Sequence, residues 1–377
     1  MSSTLRSRTC ALLLLLFPAV PVTADPLIEI GRALFFDTNI SEPPGQACAT
    51  CHNPARAFSD PRTNGADGAL SMGADGRSLG DRNTPGLTYV GSVPPFGEVD
   101  GHYRGGFFLD GRAETLRNQA VEPLLNPLEM ALPDEETVVS RVLADPAHRT
   151  AMSALFGKAA INVGQTSLDA ITTAIAAFER SAEFSTFDSK FDRYLAGTYT
   201  MTRDEAIGRE LFFSDLINCV QCHVNDSSKV SPTETFTNHR YHNIGVPVNA
   251  SARKVNGLGK GHVDMGFAGH PTAGSSDRAG QFRVPGLRNV AVTAPYMHNG
   301  VFQDLGTAIA FYGKYTLRNQ PAGTNPETGS PWGDPEISET VDLSILEEGQ
   351  PIDAWRVQHL VAFLRTLTDQ RYEHLLD

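Results

Sequence analysis

The chain has 377 residues, a hydrophobic fraction of 41% and a formal net charge of −12 at pH 7. That length can hold two or three domains, and the ordinary apolar content excludes a largely disordered or fibrous protein. The acidic balance excludes a general nucleic-acid binder, which needs a basic face, and suits a protein that meets other proteins.

Residues 1–24 read as a secretory signal. Arg6 and Arg8 precede an apolar run from Cys10 to Val20, and Val22-Thr23-Ala24 offers small residues before a cut at Asp25. The run is shorter than the roughly 20 apolar residues of a bilayer span, and no later stretch approaches that length. The expectation is export to the periplasm, with no membrane span. Cleavage removes two arginines and no acid, so the mature chain is more acidic still. It also removes Cys10, and the four remaining cysteines fall in two copies of one pattern.

Gly31-Arg-Ala-Leu-Phe-Phe36, with Ile30 and Leu34 at helical spacing, leads into Cys48-Ala-Thr-Cys51-His52. Two thiols three apart share one side of a helical turn, where they can form thioethers to haem vinyls. The adjacent His then reaches the iron as proximal ligand, which is the attachment pattern of c-type haem. The Gly/Pro/Asn-rich stretch 61–105 predicts a long ordered loop. A helical segment carries Gln119 and Pro123, turns at Asn126-Pro127 and presents Glu129. An amphipathic helix is expected from Ala170 to Ala182.

The order then recurs. Gly208-Arg-Glu-Leu-Phe-Phe213, with Ile207 and Leu211, leads into Cys219-Val-Gln-Cys222-His223. A second loop is expected over 320–336 and a second amphipathic helix from Arg356 to Thr368. Four cysteines in an exported protein can also form two disulfides or a zinc site, but neither explains a His after both pairs. The pattern predicts a mainly α fold: two cytochrome-c-like haem domains, 25–185 and 186–377, arising from an internal duplication, with long ordered loops. Each domain would carry one covalently bound c-type haem.

The ligand opposite each His decides whether an iron carries electrons or activates an oxidant. Matching Phe108-Leu-Asp-Gly111 to Met297-His-Asn-Gly300, and continuing without a gap, sets Pro123 against Tyr312. A tyrosine phenolate binds ferric iron, whereas Pro123 offers no donor atom. One iron is therefore expected to be six-coordinate and the other open. Gln119 and Glu129 flank the open position, and a carboxylate there can move a proton from the proximal to the distal oxygen of bound peroxide. Met297, His298, Met265 and His242 are further possible donors to the second iron, and spacing alone does not choose among them. His102, His148, His239, His262, His270, His359 and His374 are expected as surface or loop groups.

Further motifs are Asn53-Pro-Ala-Arg-Ala-Phe58, Gly80-Asp-Arg-Asn-Thr-Pro85, Asn126-Pro-Leu-Glu-Met130, Tyr241-His-Asn-Ile-Gly245, Pro285-Gly-Leu-Arg-Asn-Val290, Ala294-Pro-Tyr-Met-His-Asn-Gly300 and Asn325-Pro-Glu-Thr-Gly329. Together with the haem motifs they resemble the bacterial dihaem cytochrome c peroxidase superfamily, and more closely its methylamine-utilisation branch. The resemblance implies an enzyme whose first haem reacts with hydrogen peroxide. Both irons would share the oxidation in a high-valent state that oxidises Trp residues of a partner protein at long range. In that branch the task is completing tryptophan tryptophylquinone in the methylamine dehydrogenase precursor.

The resemblance also implies a distal pocket of Glu129, Gln119 and Pro123, and Tyr312 where ordinary dihaem peroxidases carry Met. It implies a calcium ion between the haems at Asn83, Thr293 and Pro295, whose carbonyl and amide oxygens suit a hard cation. Two positions depart from the branch. Leu109 stands where it has a Trp between the haems, and Ile217 where it has a relay Trp before the second motif; Trp332 and Trp355 lie elsewhere. Three other functions compete: a cytochrome c peroxidase fed by a small cytochrome or cupredoxin electron donor, oxidation of Trp in a different exported partner, and a non-enzymatic dihaem carrier.

Overall fold

The computed structural model describes residues 25–64, 66–224, 231–259, 261–316 and 323–376. The expected signal at 1–24 and residues 320–322 of the expected second loop lie outside the described residues. The fold is rich in helix. Its two sheets, among the described residues, are two-stranded and antiparallel: Gly97–Val99 with His102–Arg104, and Tyr241–His242 with Phe282–Arg283. No described helix is long and apolar enough to cross a membrane.

Each haem motif follows a helix that packs against a much later one. Helix Pro26–Phe35 starts with Pro in its first turn and the Asp25 carboxylate accepting from the Leu27 N–H at 2.9 Å. It buries Ile30, Gly31, Leu34 and Phe35 and packs on helix Gln165–Glu179. Gly31 is the point of closest approach, because a Cβ there would lie 1.9 Å from the Ala174 carbonyl oxygen.

The second half repeats the crossing. Helix Arg203–Phe212 opens with a Thr202/Glu205 capping box and packs on helix Ala354–Arg365. A Cβ at Gly208 would lie 1.8 Å from the His359 carbonyl oxygen. The buried face differs in detail: Glu205, Gly208 and Phe212 are buried, while Ile207 and Leu211 are half-buried. Both later helices begin upstream of their amphipathic pattern, the second because Asp353 caps the Arg356 N–H. Separate apolar cores form around the two crossings, one including Ile30, Leu34, Leu124, Ile171 and Ile175, the other Phe191, Phe212, Phe236 and Phe363.

The halves also clasp each other through matched contacts. The Asn83 N–H donates to the His298 carbonyl at 2.8 Å, and the Arg283 N–H donates to the Leu109 carbonyl at 2.8 Å. The loops carrying those carbonyls close by the same backbone bridge, Phe107 to Ala113 and Tyr296 to Phe302. Phe108 and Met297 in these loops are both left-handed, with φ of 61° and 72°. Tyr89 and Asn289, each at φ 62°, open matching 3-10 turns, Val90–Ser92 and Val290–Val292. Non-glycine residues there cost about 1–3 kcal/mol each, so their contacts must hold them. Two of those contacts meet on the buried Asp369: the Tyr89 hydroxyl donates to Oδ1 and Asn289 Nδ2 to Oδ2.

Candidate haem sites

Cys48–Cys51 form a single helical turn, and Cys219 caps the turn Val220–His223. All four cysteines are free and half-buried. His52 Nδ1 donates to the Phe58 carbonyl and His223 Nδ1 to the Phe236 carbonyl, each at 3.2 Å. Both acceptor residues are left-handed, at φ 55° and 58°, so the same backbone turn anchors each ring. With the proton on Nδ1, Nε2 presents its lone pair, the tautomer an iron ligand needs. Burial lowers both imidazoles to about 4, keeping them neutral for ligation. Burial also raises the thiols, Cys51 to about 11 and Cys219 to about 12.

Two neutral thiols on one turn beside an anchored, neutral imidazole fit covalent haem, and the arrangement occurs twice. Among the described residues no cluster of three or more His, Cys, Asp or Glu is placed to hold a metal by itself.

Helix Leu116–Leu125 follows the Phe107–Ala113 loop at the same offset as helix Leu305–Thr316 follows the Tyr296–Phe302 loop. Gln119 and Pro123 lie one turn apart in the former, both half-buried. Pro123 has no N–H to give the Gln119 carbonyl. The chain then turns at Asn126, whose Nδ2 donates to Glu129 Oε1 at 2.7 Å, and the Glu129 carbonyl accepts from the Ala74 N–H at 2.7 Å. Burial raises the Glu129 carboxyl above its ordinary range against the opposing Asn126 bond, and its charge is felt at both Cys48 and Cys51. Glu129 thus belongs to the first motif.

Tyr312 belongs to the second. Burial, reinforced by Cys222 and Cys219, raises its phenol well above the ordinary value. A phenolate in such surroundings needs a cation beside it, and ferric iron meets that need. His242 also lies against Cys222; burial opposes its charge, but Asp342 and Cys222 outweigh burial and raise it to about 9. Its Nδ1 is 2.8 Å from Asp342 Oδ2 and its Nε2 is buried without a partner. The other donors considered make different contacts. Met265 is 44% exposed, His298 stacks on Phe282 at 3.8 Å, and Met297 packs with Phe302, Phe311 and Trp332.

Asn83, Thr293 and Pro295 lie along the boundary between the halves, where the Asn83 N–H bonds to the His298 carbonyl. Asn83 Nδ2 donates to the Ala69 carbonyl at 3.1 Å, which leaves its Oδ1 for another partner. A Cβ at Gly300 would touch both Ala69 and Pro295, and one at Gly86 would lie 3.5 Å from Thr293. Leu109 is half-buried, and Ile217 is buried in the core around Phe212.

Two histidines expected at the surface or in loops, His148 and His359, lie inside helices, while His239 and His270 lie in loops as expected. All four are buried. His270 stacks on Phe96 at 4.1 Å and its Nε2 bonds to the Gly111 carbonyl, while His359 Nδ1 donates to the Trp355 carbonyl at 2.7 Å. A neutral imidazole is cheap to bury once its N–H is bonded, and no local pattern announces that. Also missed were Arg82, which clamps Asp110 and Asp264 at 2.7 Å each, and Glu179, a buried acid whose Oε2 has no partner.

Comparison with known proteins accords with this geometry. Residues 25–200 match the family model described as di-haem cytochrome c peroxidase. The diheme peroxidase BthA from Burkholderia thailandensis E264 superposes with a TM-score of 0.79 at 30% identity, covering 95% of this chain and 88% of that one. Cytochrome c551 peroxidase of Nitrosomonas europaea is 31% identical over 308 residues, covering 80% of this chain and 76% of the relative. The chain belongs to the di-haem cytochrome c peroxidase family and is a haem-dependent oxidoreductase. Within that family it is 51% identical over 354 residues to methylamine utilization protein MauG of Paracoccus denitrificans (strain Pd 1222), covering 94% of this chain and 91% of the relative.

Proposed function

We propose that the chain is a peroxide-using dihaem oxidase of the MauG kind, which oxidises Trp residues in a partner protein. The methylamine dehydrogenase precursor, with tryptophan tryptophylquinone as product, is the partner this reading names. The observation that carries it is the inequality of Pro123 and Tyr312 at equivalent turns of two helices. The protein is read as two haem units, 25–185 and 186–377, descended from a duplication; the repeated helix crossings and the reciprocal clasp support this. Export to the periplasm and a calcium ion at Asn83, Thr293 and Pro295 complete the reading.

Haem supplies the iron at which peroxide is reduced and where oxidising equivalents are held. The protein's part is to make the two positions unlike. His52 is kept neutral by burial and oriented by the Phe58 carbonyl, and Pro123 offers no side-chain donor to an iron there. Glu129, positioned by Asn126, takes a proton from one peroxide oxygen and returns it to the other. Gln119 shares the pocket as an uncharged hydrogen-bonding group. On the other side His223 and Tyr312 would hold the second haem iron, and a phenolate there would favour high oxidation states through its negative charge. Leu109 and Ile217 are aliphatic and cannot be oxidised in passing, so electrons from the partner travel by another path.

The test is incubation of the holoprotein with the dehydrogenase precursor and hydrogen peroxide, following quinone absorbance. Absence of quinone with folded, dihaem protein would reject this partner. The relatives named as cytochrome c peroxidases, together with Leu109 and Ile217, favour a second reading: peroxide reduction with electrons from a small cytochrome or cupredoxin. Fast peroxide turnover on adding such a reduced donor would select it.

A further inference from the structure

Arg283 differs from three arginines that are held in ion pairs. Arg288 forms two 2.8 Å bonds to the Asp192 carboxylate, Arg82 binds Asp264 and Asp110, and Arg253 pairs with Glu336 at 3.0 Å. Arg283 has no ion pair among the described residues. Its Nε is buried and unpartnered, and its Nη1 lies 3.4 Å from His239 Nδ1, a second nitrogen group. No acid is felt at Arg283, and Asp110 and Asp342 are engaged by Arg82, Arg112 and His242.

The surroundings add positive charge. Arg104 is bridged to Arg240 through the backbone, the Gly105 N–H donates to the His239 carbonyl at 3.0 Å, and Arg104 is felt electrostatically at the buried His239 ring. Burial pushes the Arg283 guanidinium below its ordinary value, opposed only by the Tyr241 phenol. A half-buried cation whose Nε–H is buried without a partner is costly unless an anion meets it.

The chain path says which anion. Arg283 is followed by Val284 and Pro285, whose backbone lies beside His223. His239 follows Asn238, whose N–H donates to the Cys222 carbonyl at 2.9 Å. Both groups therefore hang from backbone tied to the second haem motif, and a c-type haem brings two propionate carboxylates with it. The matching place in the first half is the neutral Asn83, so the feature belongs to one haem alone.

We propose that Arg283, supported by His239, is the receptor for a propionate of the haem attached at Cys219 and Cys222, holding that edge against the boundary between the halves. The inference rests on the dihaem reading above. Arg283 is a positioning residue whose charge offsets the anions gathered at that haem, the propionates and the Tyr312 phenolate.

The experiment uses the full holoprotein as wild type, Arg283→Met and Arg283→Lys. Mass spectrometry first counts covalent haems; a wild type without two of them refutes the dihaem reading itself. Mediated redox titration then follows each haem, and resonance Raman follows the propionate modes. Loss of the cation in Arg283→Met is expected to lower the reduction potential of the second haem and shift its propionate modes, with the first haem unmoved. Arg283→Lys is expected to keep most of the potential but still shift the modes, because the planar fork is lost. Should Arg283→Met fail to fold, Arg283→Lys decides by the Raman shift. Unchanged modes at the second haem, or equal shifts at both, would overturn the proposal. Inorganic phosphate is the control for a free-anion site: a wild-type potential that responds to it would also overturn the propionate assignment.

Discussion

Pro123 and Tyr312 occupy equivalent turns of the helices Leu116–Leu125 and Leu305–Thr316, each set at the same distance from a left-handed residue, Phe108 or Met297. One has no side-chain donor atom, and the other has a phenol enclosed near Cys219 and Cys222. In the proposed function, this exchange separates a position for oxidant from a position for storage.

Replacing Tyr312 by Phe is expected to leave two covalent haems, since Cys219, Cys222 and His223 are untouched. The ferric second haem should lose its phenolate signature in electron paramagnetic resonance, and the doubly oxidised state should decay faster after peroxide. Unchanged spectra would assign the sixth ligand to another residue, His242 being the other candidate beside Cys222.

Glu129 sets a pH dependence whose sign follows from its surroundings. Burial raises its pKa, so the carboxylate that accepts a proton from peroxide becomes populated only above the ordinary range. The peroxide step should accelerate as pH rises through that raised value. Glu129→Gln should be slower by about 10²–10⁴-fold, the usual worth of a positioned acid–base group, and flat over the same range. Stopped-flow mixing with peroxide reads both. A Glu129→Gln rate still rising with pH would move the proton role to a different group.

Glu179 sets a pH dependence of stability. Burial raises it from 4.5 to about 8. Between those values the folded chain keeps a proton that the unfolded chain releases, so stability is fully present below 4.5 and falls as pH rises through about 8. Denaturant midpoints of wild type and Glu179→Gln, compared at the two ends of that window, should diverge towards higher pH, with the variant the more stable. Parallel curves would show that Glu179 ionises freely in the fold.

Gly208→Ala places a Cβ 1.8 Å from the His359 carbonyl and must push two helices apart. Overpacking of this sort costs about 1–3 kcal/mol, readable as a lower urea midpoint, and Gly31→Ala should behave alike. Gly269→Ala, which has open space at its Cβ position, is the control and should change little.

Much of this was readable from the sequence because it is local. The haem motifs, the Gly-Arg-x-Leu-Phe-Phe repeats and the amphipathic later helices each announce themselves within a few turns. The match of Pro123 to Tyr312 was readable because the two halves keep one spacing between loop and helix. What was hidden depends on contacts between distant segments. Arg283 reads as one basic residue among many until the acids around it are seen to be engaged. His270 reads as a loop residue until Phe96 and the Gly111 carbonyl enclose it. Glu179 falls within an amphipathic pattern that gives no hint that its carboxyl stays inside.

Asp369 has a further consequence. Its two oxygens receive the same turn from each half, Tyr89 on one and Asn289 on the other, and its own N–H is accepted by Asn289 Oδ1 at 2.8 Å. A hinge has no room at such a joint, since any opening would break buried bonds on both sides together. Within the proposed function, this joint would keep the two haem positions at one separation, since parting them here costs buried bonds to both halves at once.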